Sequence, residues 1–206
     1  MTDRGGEVIA FAENLMTLLD EGRFVATYKY AVLLGLMDLC LEKTNKSGIS
    51  PTIVTTRELA EKVTEIYWPH TQPYGENQVY LSQNSGSQAS IINLLSKFKS
   101  NIGELSISMY KARTAYRDKF ERLVRGVEWE LIHMPLPRVQ KLGNKAHNFI
   151  YHIAWDENIL KGRDGVTSYQ KQKRSVFDNR IQFVNSAAER LIQLNGLLRP
   201  LIHRKW

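Results

Sequence analysis

The stretch from Thr27 to Lys43 is apolar on almost every side when wound as a helix, carrying Tyr30, Val32, Leu33, Leu34, Leu36, Met37, Leu39 and Leu41. A helix of that kind cannot lie on a wet surface; other elements or lipid must surround it. Lipid is excluded by length and charge. The run Tyr30–Leu41 falls well short of the ~20 apolar residues a bilayer requires, and it contains Asp38. The rest of a 206-residue chain therefore has to supply the wrapping, and one domain of this length buries a full core.

The flanking sequence is patterned to do so. Glu7–Glu21 sets Val8, Phe11, Ala12, Leu15, Leu18 and Leu19 at helical spacing, and Gly22 ends it. Thr55 followed by Glu58 is a capping box opening a helix through Ile66, with Leu59, Val63 and Ile66 on one side. Ser87–Lys99 turns Ile91, Ile92, Leu94, Leu95 and Phe98 inward. Met109–Val124 repeats the pattern through Ala112, Tyr116, Phe120 and Leu123, with Lys111, Arg113, Arg117, Lys119, Arg122 and Arg125 on its other faces. Ile53-Val54, Val127–His133, Phe149–Trp155 and Arg180–Val184 read as short strands. Ser186 with Glu189 reads as the cap of a last helix bearing Leu191, Leu194, Leu197, Leu198 and Leu201. Asn45–Pro51, Tyr67–Gln83 and the basic, glycine-bearing Lys161–Arg174 are loops. The expected fold class is α+β, predominantly α-helical, in a single domain over residues 1–206. It comprises an N-terminal helix (1–22), a winged helix-turn-helix-like core with a few short strands (23–155), and a basic loop with a C-terminal helix (156–206).

Charge indicates the partner. Residues 1–66 hold 7 Lys/Arg against 10 Asp/Glu, whereas residues 67–206 hold the other 21 against 11, so the net +7 comes wholly from the later part. A basic face on a neutral-to-acidic body suits an anion, and counterion release makes nucleic acid the commonest one. In a winged helix-turn-helix the third helix enters the major groove by its first turn. Here that turn is Gln83, Asn84, Ser85, Gly86, Ser87 and Gln88. Gln and Asn amides pair with adenine in bidentate fashion, and serine hydroxyls reach phosphates or base edges. Asn84-Ser85-Gly86 also suits a plain turn and cap.

Catalytic patterns are missing. Cys40 is the lone cysteine, which excludes an internal disulfide and a multi-cysteine zinc site. His70, His133, His147, His152 and His203 include no pair spaced as two ligands on one helical face. There is no phosphate-cradling glycine loop, nucleophile elbow or dinucleotide fingerprint. The expectation is a chain that is not itself an enzyme, with no cofactor, no metal and no membrane association. It opens with no secretory leader and is expected in the cytoplasm.

Several segments in order resemble the N-terminal region of bacterial HNH restriction endonucleases, which join a helical specificity domain to a C-terminal HNH nuclease. They are Phe24–Leu34, Glu58–Val63 running into Tyr67-Trp68, Gln72-Pro73-Tyr74, Leu81–Asn84, Met134–Gln140, Phe149–Tyr151 and Leu197–Trp206. The family continues into a Cys-x-x-Cys clip and the His-Asn-His nuclease. The chain stops at Trp206, partway through a helix-like segment, so the expectation is a recognition half whose covalently linked nuclease is absent.

More distantly, the order of helix start, capped helix, Pro-hydrophobic-x-Arg-hydrophobic-Gln stretch and aromatic strand is similar to the sulfur-binding domains of type IV restriction enzymes. Those recognise duplex DNA in which sulfur replaces a non-bridging phosphate oxygen. The resemblance implies a sulfur pocket at Met134, Pro135, Leu136 and Tyr151, with Pro135 as the sulfur-contacting proline; the family has an aromatic residue where Met134 stands. It implies DNA contacts from Arg23, Thr27, Tyr28 and Lys29 at the helix start. On the DNA reading Arg138 and Gln140 add to them, the Gln83–Gln88 turn supplies selectivity, and Lys171, Lys173, Arg174 and the Lys111–Arg125 helix neutralise phosphates. Met134–Leu136 also suits a simple strand terminator. The function expected is a double-stranded DNA-binding module of a modification-dependent restriction enzyme. A winged-helix transcriptional regulator reading unmodified DNA as a homodimer is the alternative, and a phage-defence adaptor docking proteins through Tyr67–Tyr74 is another.

Overall fold

The structure is a computed structural model and describes residues 4–20, 27–71, 90–142, 145–155 and 178–206. Helix α2 (Tyr28–Lys43) is its axis. Ala31, Val32, Leu33, Leu34, Leu36, Met37 and Cys40 are each at most 2% exposed, as an all-round apolar helix requires. Burial pushes the Cys40 thiol up to about 12, so it serves as a small core side chain. Helix α1 (Arg4–Asp20) lays Phe11, Leu15, Leu18 and Leu19 on the core.

Strand β1 (Ile53–Thr55) runs straight into α3 (Thr56–Tyr67), which opens on the capping box read from the sequence. The Glu58 amide donates to Thr55 Oγ1 at 3.2 Å, and the Thr55 amide donates to the Glu58 carboxylate at 2.8 Å. After a 3-10 turn at Pro69–Thr71 come α4 (Ser90–Ile102), α5 (Met109–Ala115) and α6 (Arg117–His133). Helix α3 packs on α2 and α6, and α6 also receives α4. A two-residue hairpin, β2 (Lys141–Leu142) with β3 (Lys145–Ala146), precedes β4 (Tyr151–Ile153) and β5 (Arg180–Phe183). Helices α7 (Ala187–Gln193) and α8 (Asn195–Lys205) return to α2.

The fold is thus α+β and mostly helical, with a three-stranded antiparallel sheet ordered β1-β5-β4. Val54 and Ile153 both pair with Ile181 on the core face, while Ile53, Gln182 and His152 share the exposed face. That is the alternation of a sheet with one wet side.

Three expectations are corrected. Val127–His133 is the last part of α6 and not a strand. Val127, Trp129 and Leu131 alternate, but Val124, Val127 and Leu131 equally continue the helical face of Phe120 and Leu123, and that face is buried. The helix read at 109–124 is two, broken at Tyr116 (φ −124°, ψ 41°). The last helix likewise divides at Leu194, and Ser186 does not cap it: at φ 58° its hydroxyl makes no hydrogen bond to the helix.

Candidate nucleic-acid interface

Tyr28 is the first residue of α2, and its hydroxyl accepts a hydrogen bond from the amide of Ile91, the second residue of α4, at 3.2 Å. Burial raises its pKa above the ordinary phenol value, and the Glu130 carboxylate of α6 adds to the rise. Thr27 Oγ1 lies 2.6 Å from Tyr67 Oη, which ties the same spot to the end of α3. Two helix N-termini therefore meet at one end of the bundle, with the Glu130 carboxylate of α6 near enough to be felt by Tyr28. Amides at both N-termini leave a partial positive charge there. The helix start at Thr27–Tyr28, singled out in the sequence, thus meets the first turn of α4.

The other expected residues divide sharply. Lys29 is only 3% exposed, and its ammonium donates to the carbonyls of Leu18 (3.1 Å) and Leu19 (3.4 Å) in the last turn of α1. Its charge caps that helix instead of facing a phosphate, and burial, then Lys205, holds its pKa below the usual lysine value. Gln140 is also inside. Its side chain accepts from the amides of Ile150 (2.7 Å) and Tyr151 (2.9 Å) and donates to the Tyr151 carbonyl (2.9 Å), stapling the turn after α6 to β4. Leu136 and Tyr151 are buried, with the Tyr151 hydroxyl on the Leu136 carbonyl at 2.8 Å, and Pro135 is buried beside them. Of the four residues expected to line a sulfur pocket, Met134 alone is exposed, at 52%. Arg138 Nη1 donates to the carbonyls of His133 (3.0 Å) and Met134 (3.1 Å), closing the end of α6. Arg23, Gln83, Asn84, Ser85, Ser87, Gln88, Lys171, Lys173 and Arg174 lie outside the described residues.

The outward face of α4 was missed in the sequence reading. Ser90, Asn93, Lys97, Ser100 and Asn101 are all exposed, and the helix contains no carboxylate. That absence was visible in the sequence, and α4 shares it with the C-terminal helix Asn195–Lys205, whereas α1, α2, α3 and α6 all carry acidic residues. The basic run of α5 and α6 also separates into two kinds. Lys111 pairs with Glu104 at 2.6 Å, Arg113 with Glu61 at 3.0 Å, and Lys119 reaches the Asn101 carbonyl at 3.4 Å. Arg117, Arg122 and Arg125 are exposed and have no carboxylate partner among the described residues.

Among the described residues no three His, Cys, Asp or Glu side chains are grouped to hold a metal, and no helix is long and apolar enough to cross a membrane. No family model, no curated protein and no solved structure matches the chain.

Proposed function

We propose that the chain is a duplex-DNA recognition module, the specificity half of a modification-dependent HNH restriction endonuclease that senses phosphorothioate-modified DNA and does not itself cut. The observation that carries this reading is α4: a helix free of carboxylates, with Ser90, Asn93 and Lys97 outward, following directly on the Gln83–Gln88 segment. Asn and Lys are side chains that read base edges and phosphates, and an acid on such a face is repelled by DNA.

The sheet supports a winged form of helix-turn-helix. Strand β1, between α2 and α3, pairs with β5, which pairs in turn with β4. The β4–β5 pair is thus backed by the strand between α2 and α3, and α5 and α6 are an insertion ahead of it. The sequence joining β4 to β5 includes Lys161, Arg163, Lys171, Lys173 and Arg174, a basic composition suited to a wing on the phosphate backbone. Met134 supports the sulfur part: its polarizable thioether is exposed where the resemblance puts the pocket, and a soft contact favours sulfur over a strongly hydrated oxygen.

Binding of the 206-residue chain to matched duplexes differing in one backbone sulfur, and then in base methylation, tests the reading. The expected result is a complex at low salt that weakens steeply as salt rises, with a preference for sulfur lost in Met134→Glu. Absence of any complex overturns the DNA reading. Equal binding to all duplexes overturns the sulfur part and leaves a winged-helix protein that reads unmodified sequence.

A further inference from the structure

We infer that the seam between α4 and α6 is a phosphate-binding notch, in which Lys97 from one helix and Arg122 from the other grip a single phosphodiester of a bound nucleic-acid strand. The inference rests on the DNA reading above and specifies a contact that it leaves open.

Two contacts fix the register of the two helices. Lys119 of α6 reaches the Asn101 carbonyl of α4. Gly126 faces Leu94, since a Cβ built on Gly126 lies 3.4 Å from a Leu94 methyl. Tyr28, hydrogen-bonded to Ile91 at the start of α4, feels the Glu130 carboxylate near the end of α6, in keeping with that register. As the α4 number falls from 101 to 94, the α6 number climbs from 119 to 126, so the helices run antiparallel. Interpolated between the two contacts, Lys97 stands across from the Arg122–Leu123 turn.

Leu123 is buried, whereas Lys97 and Arg122 are both exposed, and half-buried Leu94 and Gly126 meet one turn further along the same seam. Neither cation has a carboxylate partner among the described residues. Asp118 sits one turn before Arg122 on the same helix and still forms no ion pair with it. Two cations brought to one seam repel each other unless an anion joins them. The paired cations nearby, Lys111 with Glu104 and Arg113 with Glu61, are the contrast. Phosphate suits the pair: Arg offers a planar fork and Lys a point charge, which together can meet two oxygens of one tetrahedral group.

The test compares duplex binding across a salt series for the wild type, Lys97→Gln, Arg122→Gln, the double variant and Lys111→Gln, with circular dichroism confirming the fold of each. Each notch variant is expected to weaken binding several-fold. The double variant should fall short of the product of the two and lower the slope of log K against log salt by about 1, the loss of one phosphate contact. Lys111→Gln should leave the slope unchanged. Wild-type binding with unchanged slopes in the notch variants overturns the notch and leaves the DNA reading standing, whereas no binding by the wild type overturns both. An equal effect of Lys111→Gln reduces the notch to general charge and overturns it. Competition by polyglutamate as strong as by polyphosphate of equal charge assigns the seam to an acidic protein and overturns it too.

Discussion

Lys99 has no exposed surface, and its ammonium has one carbonyl, that of Trp68 at 3.1 Å, with the Trp68 ring 4.8 Å away. Desolvation without a carboxylate pushes its pKa down to about 8 from 10.5. A folded-state pKa below the unfolded one means that the unfolded chain holds the extra proton between those values, so stability rises as pH goes from about 8 to 10.5 and is flat below. Lys99→Met should remove that rise in urea titrations and add about 1–3 kcal/mol at neutral pH. A wild-type stability that does not change over that window refutes the account. Lys99, Lys29 and Gln140 also mark the limit of reading residue by residue. Their type shows in the sequence, but which carbonyls they meet depends on elements far along the chain, so two interior staples passed for surface contacts.

At the scale of elements, legibility followed the number of independent signals. Thr55 and Glu58 mark the start of α3 by side-chain chemistry and are found in place, because a capping box depends only on neighbours. Val127–His133 had periodicity alone to go by, and two periods fit it; packing against α3 and α4 decided for helix. The approach of α2 to α3 turns on Gly35, where an added Cβ would stand 2.9 Å from Leu59 Cδ1, itself fully buried. Gly35→Ala gains helix propensity but overpacks that contact, and the net expected cost is about 1–2 kcal/mol. A lowered urea midpoint at unchanged m-value is the signature; a rise would show that the seam has room to give.

Over the whole molecule, charge asymmetry was legible from counting and the helix-rich α+β architecture from patterning, whereas the order of the sheet was not. Short strands such as Ile53–Thr55 carry too few residues to declare a partner. On the proposed DNA reading, the same asymmetry has two contributors, the α4–α6 face and the basic β4–β5 connection. Replacing Lys171, Lys173 and Arg174 with Ala should lower the salt slope by about 2–3 without altering any preference for sulfur, as measured by the same duplex titrations. An unaltered slope would remove that segment from the interface.

The pairing of Ile53 with Gln182 joins an early strand to one near the far end of the chain. During synthesis β1 therefore emerges with both edges bare, long before β5 exists to zip onto it. The helices α2, α3, α4 and α6 draw on closer neighbours and can coalesce first, leaving the sheet as the slow, final closure. Cellular quality control would meet this protein as a helical cluster with a waiting strand, and the brevity of that strand is itself protection against capture by the wrong neighbour.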